Sequence, residues 1–147
     1  MSRALITALV IAFFGCAAGP VPPAALDLHG GDACATCRMT ISQRQTGAQI
    51  VSAADEPLFF DDIGCLSEHL RAHGLPQNAR IYVADHRTGE WTPAETAVYS
   101  RVASVETPMG SSLLAWASDE SRVKDASAAR GEPVNAQAIT GAAGDLR

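Results

Sequence analysis

Two Gly-x-Pro triplets, Gly74-Leu75-Pro76 and Gly131-Glu132-Pro133, lie 57 residues apart and frame what the chain can fold into. Glycine takes the left-handed turn that closes a helix, and a proline just beyond cannot continue it, so each triplet predicts a helix stop. What precedes the two stops is alike. Leu58-Phe59-Phe60 is a short apolar strand, then Asp61 or Asp62 can cap a helix whose apolar stripe is Ile63, Leu66 and Leu70. Leu113-Leu114-Ala115-Trp116 is a second such strand, followed by Ser118 as a cap and by Asp119 and Glu120, which suit the positive end of a helix dipole. Further strands are expected at Met39-Thr40-Ile41-Ser42, which alternates apolar and polar, at Ala48 to Ala53, at Ile81-Tyr82-Val83, around Val98-Tyr99 and Val102, and at Val134 to Ile139 as the closing strand. The predicted fold class is α+β: two tandem ββαβ-like units forming one small domain.

The residues ahead of that domain speak of location. Met1-Ser2-Arg3 is a short positive start, and Ala4 to Gly15 is an uncharged apolar run of twelve residues. Such a run is too short to span a membrane and has the length of a signal-peptide core. Gly15-Cys16 resembles a bacterial lipoprotein cleavage site, in which Cys16 becomes the lipidated N-terminus, although Phe14 stands where a small residue is usual. The alternative is an ordinary cleaved leader. Ala17 to Pro23 is a Pro/Gly/Ala stretch that reads as a tether. The expected organisation is a signal peptide over 1–15, a lipidated tether over 16–27, a folded metal-binding domain over 28–139 and a disordered tail over 140–147. The protein is thus expected in the cell envelope, facing the periplasm and held to the membrane by lipid. Without Arg3 the net charge is −6, with 10 basic against 16 acidic residues and no Lys/Arg run, so nucleic acid is excluded as a partner.

There are four cysteines, Cys16, Cys34, Cys37 and Cys65. If Cys16 carries lipid, the remaining three cannot all pair within one chain, which points to metal binding or redox chemistry. Cys34-Ala35-Thr36-Cys37-Arg38-Met39 places two thiols and a thioether within six residues. Soft sulfur donors select soft ions, and a neutral thioether is acceptable to Cu(I) but poor for Zn²⁺. On the expected strand, Cys37 and Met39 share one face, and Cys34 must fold back. Cys65 falls in the first turn of the predicted helix, where the dipole favours a thiolate, with His69 four residues on along the same face. Met109 sits in the Pro/Gly turn Thr107-Pro108-Met109-Gly110-Ser111, a place that packing explains poorly. His29 and His86 are in expected loops. Each has a plainer reading: a structural disulfide for Cys34 and Cys37, core packing for Met39 and Cys65, a solvated helix face for His69 and His73.

Four stretches together resemble the NosL family of nitrous oxide reductase accessory lipoproteins. They are Cys-x-x-Cys-x-Met-x-Ile at Cys34 to Ile41, an aromatic-Asp-Asp step at Phe59 to Cys65, Val-x-Asp-x-x-Thr-Gly-Glu-Trp at Val83 to Trp91, and Thr-Pro-Met-Gly-Ser-x-Leu at Thr107 to Leu114. The resemblance implies a periplasm-facing Cu(I) metallochaperone that delivers copper to a client enzyme, nitrous oxide reductase, and its assembly machinery. It also implies two ββαβ units similar to the organomercurial lyase core. By the family's Cys-Gly-Met step and Met-Gly turn, it makes Cys37, Met39 and Met109 candidate ligands. Arg38 stands where the family has glycine, and Cys65 is an addition to the family's pattern.

Two other functions compete. Cys34 and Cys37 suit a thiol–disulfide oxidoreductase or a disulfide-stabilised interaction domain, but a redox Cys-x-x-Cys opens a helix, and here a strand is expected. A lyase for carbon–metal bonds rests on fold analogy alone. No nucleophile–base–acid constellation or phosphate loop is present in the sequence, and the chain is not expected to be an enzyme.

Overall fold

A computed structural model describes residues 24–141. The expected leader, the lipidation site at Cys16 and residues 142–147 lie outside the described residues. No helix among the described residues is long and apolar enough to cross a membrane.

The fold is mixed α+β, with two small antiparallel sheets and a few helices. The first sheet holds β1 (Ala48–Val51), β2 (Leu58–Phe60), β3 (Arg80–Ala84) and β4 (Trp91–Pro93) in the order β2-β1-β3-β4. The second holds β5 (Val98–Arg101), β6 (Leu113–Trp116) and β7 (Glu132–Val134) in the order β6-β5-β7. In each sheet the first strand is flanked by the second strand and by the strand that follows a helix.

Helix α1 (Ile63–His73) links β2 to β3. Asp62 is its cap, taking the Gly64 N–H on Oδ1 at 2.6 Å, which satisfies one of the helix's unpaired donors. Ile63, Leu66 and Leu70 are buried as one stripe, each such side chain contributing roughly 1.5–3 kcal/mol by its removal from water. Gly74, at φ +73°, ends the helix in a conformation that costs a side-chain-bearing residue more. The main core joins this stripe to Ile50, Phe60, Ile81 and Val83 of the first sheet and to Tyr99, Leu113 and Ala115 of the second. Leu114 and Trp116 point the other way from β6, into a smaller cluster with Val102 and Ala128. Before β1, the backbone of Leu26 is clasped by the buried Gln49 amide: its N–H donates to Oε1 at 2.8 Å and its carbonyl accepts from Nε2 at 2.9 Å.

Four sequence expectations are corrected. Met39 to Ser42 is not a strand. Arg38 turns the chain at φ +65°, and only an isolated bridge from Thr40 to Ala33 remains. The second helix does not reach Gly131. Helix α2 (Asp119–Val123) ends early, and Asp125 caps a separate 3₁₀ turn (Ala126–Arg130) because its carboxylate is already engaged by Trp116 and Ser127. Gly131 is extended, and its role is close packing: a Cβ there would lie 2.9 Å from Ser100 Cβ. The closing strand stops at Val134, since Asn135 takes the Gln137 N–H and starts helix α3 (Ala136–Thr140), which buries Ile139 in the main core. Thr140 therefore belongs to a helix and not to the tail.

Candidate metal centre

Two loops meet at the start of α1, and consecutive aspartates hold them there. Asp61 and Asp62 are both fully buried at the junction of β2 and α1. Asp61 Oδ1 accepts the Ser42 N–H at 2.8 Å and the Gln43 N–H at 3.3 Å, which fastens the end of the segment that carries Cys34, Cys37 and Met39. Asp62 Oδ2 accepts the Thr107 hydroxyl at 2.6 Å and the Met109 N–H at 3.0 Å, which fastens the turn that carries Met109. Asp62 lies in a buried setting that raises a carboxyl pKa. Bonds from Ser111, Thr107, Gly64 and Met109 outweigh this and hold it below the ordinary carboxylate range.

The cysteine loop is closed by its own backbone. The Cys34 N–H donates to the Met39 carbonyl at 2.8 Å and the Arg38 N–H to the Cys34 carbonyl at 3.0 Å. The loop then lies along the free edge of β2, with Cys34 bridging Phe59 and the Ala35 N–H on the Phe59 carbonyl at 2.8 Å. Thr36 Oγ1 donates to the Cys65 carbonyl at 2.9 Å, stitching the loop to the first turn of α1.

The outcome is a cluster of three free thiols. The sulfurs of Cys34, Cys37 and Cys65 all lie within 4.8 Å of one another. Cys34 and Cys65 are buried, at 0% and 3% exposure, and Cys37 is half-buried. Burial raises the Cys34 thiol pKa, but N–H groups of Cys37, Asp61 and Thr36 and the Cys37 thiol more than offset it, so the net shift is downward. Cys65 moves far upward, through burial first and then through the charge and hydrogen bonding of Cys34 and Cys37. The expectation that the helix dipole favours a Cys65 thiolate is thus overturned by burial and like charge. Within the trio, the Cys34 thiol is thus shifted downward and the Cys65 thiol upward.

The remaining candidates are dispersed. Met39 and Met109 are exposed, at 54% and 49%, on the two loops tied to Asp61 and Asp62. Arg38 breaks the expected common face of Cys37 and Met39. Among the described residues no histidine joins the thiols. His69 packs its ring 5.2 Å from Phe60 and 4.6 Å from His73. His86 Nδ1 lies 2.8 Å from Asp125 Oδ2, beside Trp116. His29 engages Asp32 through its backbone N–H. The anchoring roles of Asp61 and Asp62 are not legible in the sequence, where the pair reads as alternative helix caps and as part of the aromatic-Asp-Asp step.

Three sulfurs with no carboxylate or imidazole among them suit a soft ion and not a hard one. Fold and cluster together define a small α+β domain with a thiol site able to hold a metal. The NosL family model matches residues 25–143, most of the chain, and the protein belongs to the NosL family. No curated protein and no solved structure matches it.

Proposed function

We propose that the protein is a membrane-tethered Cu(I)-binding protein, a copper chaperone for assembly of an extracytoplasmic copper enzyme. Nitrous oxide reductase is the client that family membership favours. The observation that carries the reading is the convergence of Cys34, Cys37 and Cys65 on one point, with two exposed thioethers on the loops that build it. Cys37, Met39 and Met109 are the ligands the family suggests, and Cys34 and Cys65 extend the set. The ion is cargo, and the chain acts as a carrier and not an enzyme. Lipid at Cys16 and a signal peptide over 1–15 would place it on the periplasmic side of a membrane. A tandem ββαβ architecture, similar to the organomercurial lyase core, belongs to the same reading. It is supported by the matching strand orders β2-β1-β3 and β6-β5-β7. Dithiol–disulfide chemistry is the weaker reading, because Cys34 and Cys37 sit in a closed loop at a sheet edge and not at a helix start.

The test is an anaerobic Cu(I) competition titration of the reduced protein against a chromogenic chelator. One tight equivalent that is lost in Cys37→Ser is the expected result. Failure of the wild-type protein to compete would sink the copper reading.

A further inference from the structure

The five sulfurs are not equivalent. Three are thiols gathered within 4.8 Å, two of them sealed from solvent, and the other two are thioethers about half exposed. A thiolate carries charge and binds a soft cation more strongly than a neutral thioether does. The thioethers are not loosely displayed. Met39 closes the cysteine loop by its carbonyl, and Met109 is held by its N–H on Asp62. Both therefore present a weak, neutral donor at the surface from a fixed backbone. Cys37 is the one thiol of the trio with appreciable exposure, so an ion reaching Cys34 and Cys65 passes it.

We infer that the sulfurs divide the work between them. Cys34, Cys37 and Cys65 hold the ion at rest, while Met39 and Met109 receive it and give it up. This rests on the Cu(I) reading above. It makes Cys65, which lies outside the family's pattern, a determinant of retention. In loading, a donor–copper bond breaks as a copper–thioether bond forms at Met39 or Met109. The Cys37 sulfur then binds the ion, its thiol proton passing to water, and the neutral thioether leaves. Cys34 and Cys65 complete the set, and each likewise gives its thiol proton to water. Copper stays Cu(I) throughout and no electrons move. Unloading reverses the order.

The experiment compares wild type, Cys65→Ser and the double variant Met39→Leu/Met109→Leu, each as reduced full-length protein in detergent. Equilibrium Cu(I) affinity is read by chelator competition, and transfer rate by stopped-flow delivery to the same chelator. Cys65→Ser is expected to weaken affinity by about 100-fold or more. The double variant is expected to weaken it by a far smaller factor and to slow transfer by about tenfold or more. An affinity loss in the double variant as large as in Cys65→Ser overturns the division, as does an unchanged transfer rate. Should Cys65→Ser not fold, selenomethionine-labelled wild type loaded with one equivalent decides: no copper–selenium scattering in its X-ray absorption supports the inference, and clear scattering removes it. No Cu(I) binding by wild type removes the copper reading itself, a result distinct from either failure of the division.

Discussion

The backbone N–H of Met109 donates to Oδ2 of Asp62 at 3.0 Å, on a carboxylate whose other oxygen caps the helix that carries Cys65. One buried side chain therefore sets both the start of α1 and the seat of the Met109 turn. Asn at this position keeps an acceptor for the cap and places an NH₂ where Thr107 and Met109 donate. Asp62→Asn is expected to cost about 1–3 kcal/mol of stability, the usual penalty for unpaired buried donors. Urea unfolding measures it, and faster hydrogen exchange at the Met109 amide should accompany it.

Acid should loosen the protein from its other end. Asp85 Oδ2 accepts the Ala117 N–H at 2.8 Å, and Asp125 accepts from Trp116 Nε1 at 3.0 Å, with His86 Nδ1 at 2.8 Å. Burial raises both carboxyls, yet bonds from Ser121, Ala117, Thr88 and Arg87 at Asp85, and from His86, Ser127 and Trp116 at Asp125, leave both below their usual values. A carboxylate with a depressed folded-state pKa contributes stability above its unfolded value, about 3.9, and loses it as pH falls toward the folded one. Chemical-denaturation midpoints should thus hold steady from these two groups near neutrality and fall below about pH 4. Asp125→Asn should lower the neutral value and flatten the acid slope.

Thiol chemistry should sort the cysteines by access. With a bulky alkylating reagent on the reduced, metal-free protein, Cys37 is expected to label first, and Cys34 and Cys65 only as the fold opens. Peptide mass spectrometry over time reads the order. Equal labelling of all three would contradict their burial.

Two backbone positions should respond in opposite directions. Arg38 holds φ +65°, where a Cβ is disfavoured, so Arg38→Gly should be neutral or stabilising by up to about 1 kcal/mol. Gly131 is extended but crowded: a Cβ there would meet Val102 Cγ2 at 3.0 Å as well as Ser100, so Gly131→Ala should destabilise by about 1–3 kcal/mol. Thermal melts of the two single variants give both signs.

These contrasts mark how far the sequence could be read. The helix bearing Ile63, Leu66 and Leu70 was legible because its stripe, acidic cap and terminal Gly74 all agree. Leu58–Phe60, Ile81–Val83 and Leu113–Trp116 were legible as short apolar runs between turn residues. Met39–Ser42 misled because four alternating residues are too few to outweigh a left-handed Arg38 beside them. Gly131 misled because a glycine chosen for close packing reads the same as one chosen for a turn. At the site, Cys34 and Cys37 were adjacent in sequence and so visible together. Cys65 joins them only through the Thr36 bond and the edge of β2, which no local pattern encodes. Its raised pKa follows from that same tertiary neighbourhood.

The two aspartates at the β2–α1 junction also govern how this chain can vary in length. Being consecutive, they reach opposite ways, Asp61 to Ser42 and Asp62 to the Met109 turn. Inserting or deleting one residue between Phe60 and Ile63 would swap or unseat both anchors together, and the thiol pocket would lose its walls at once. The exposed turn between β1 and β2, at Ala53 to Glu56, has no such duty, and added residues there would leave the pocket standing.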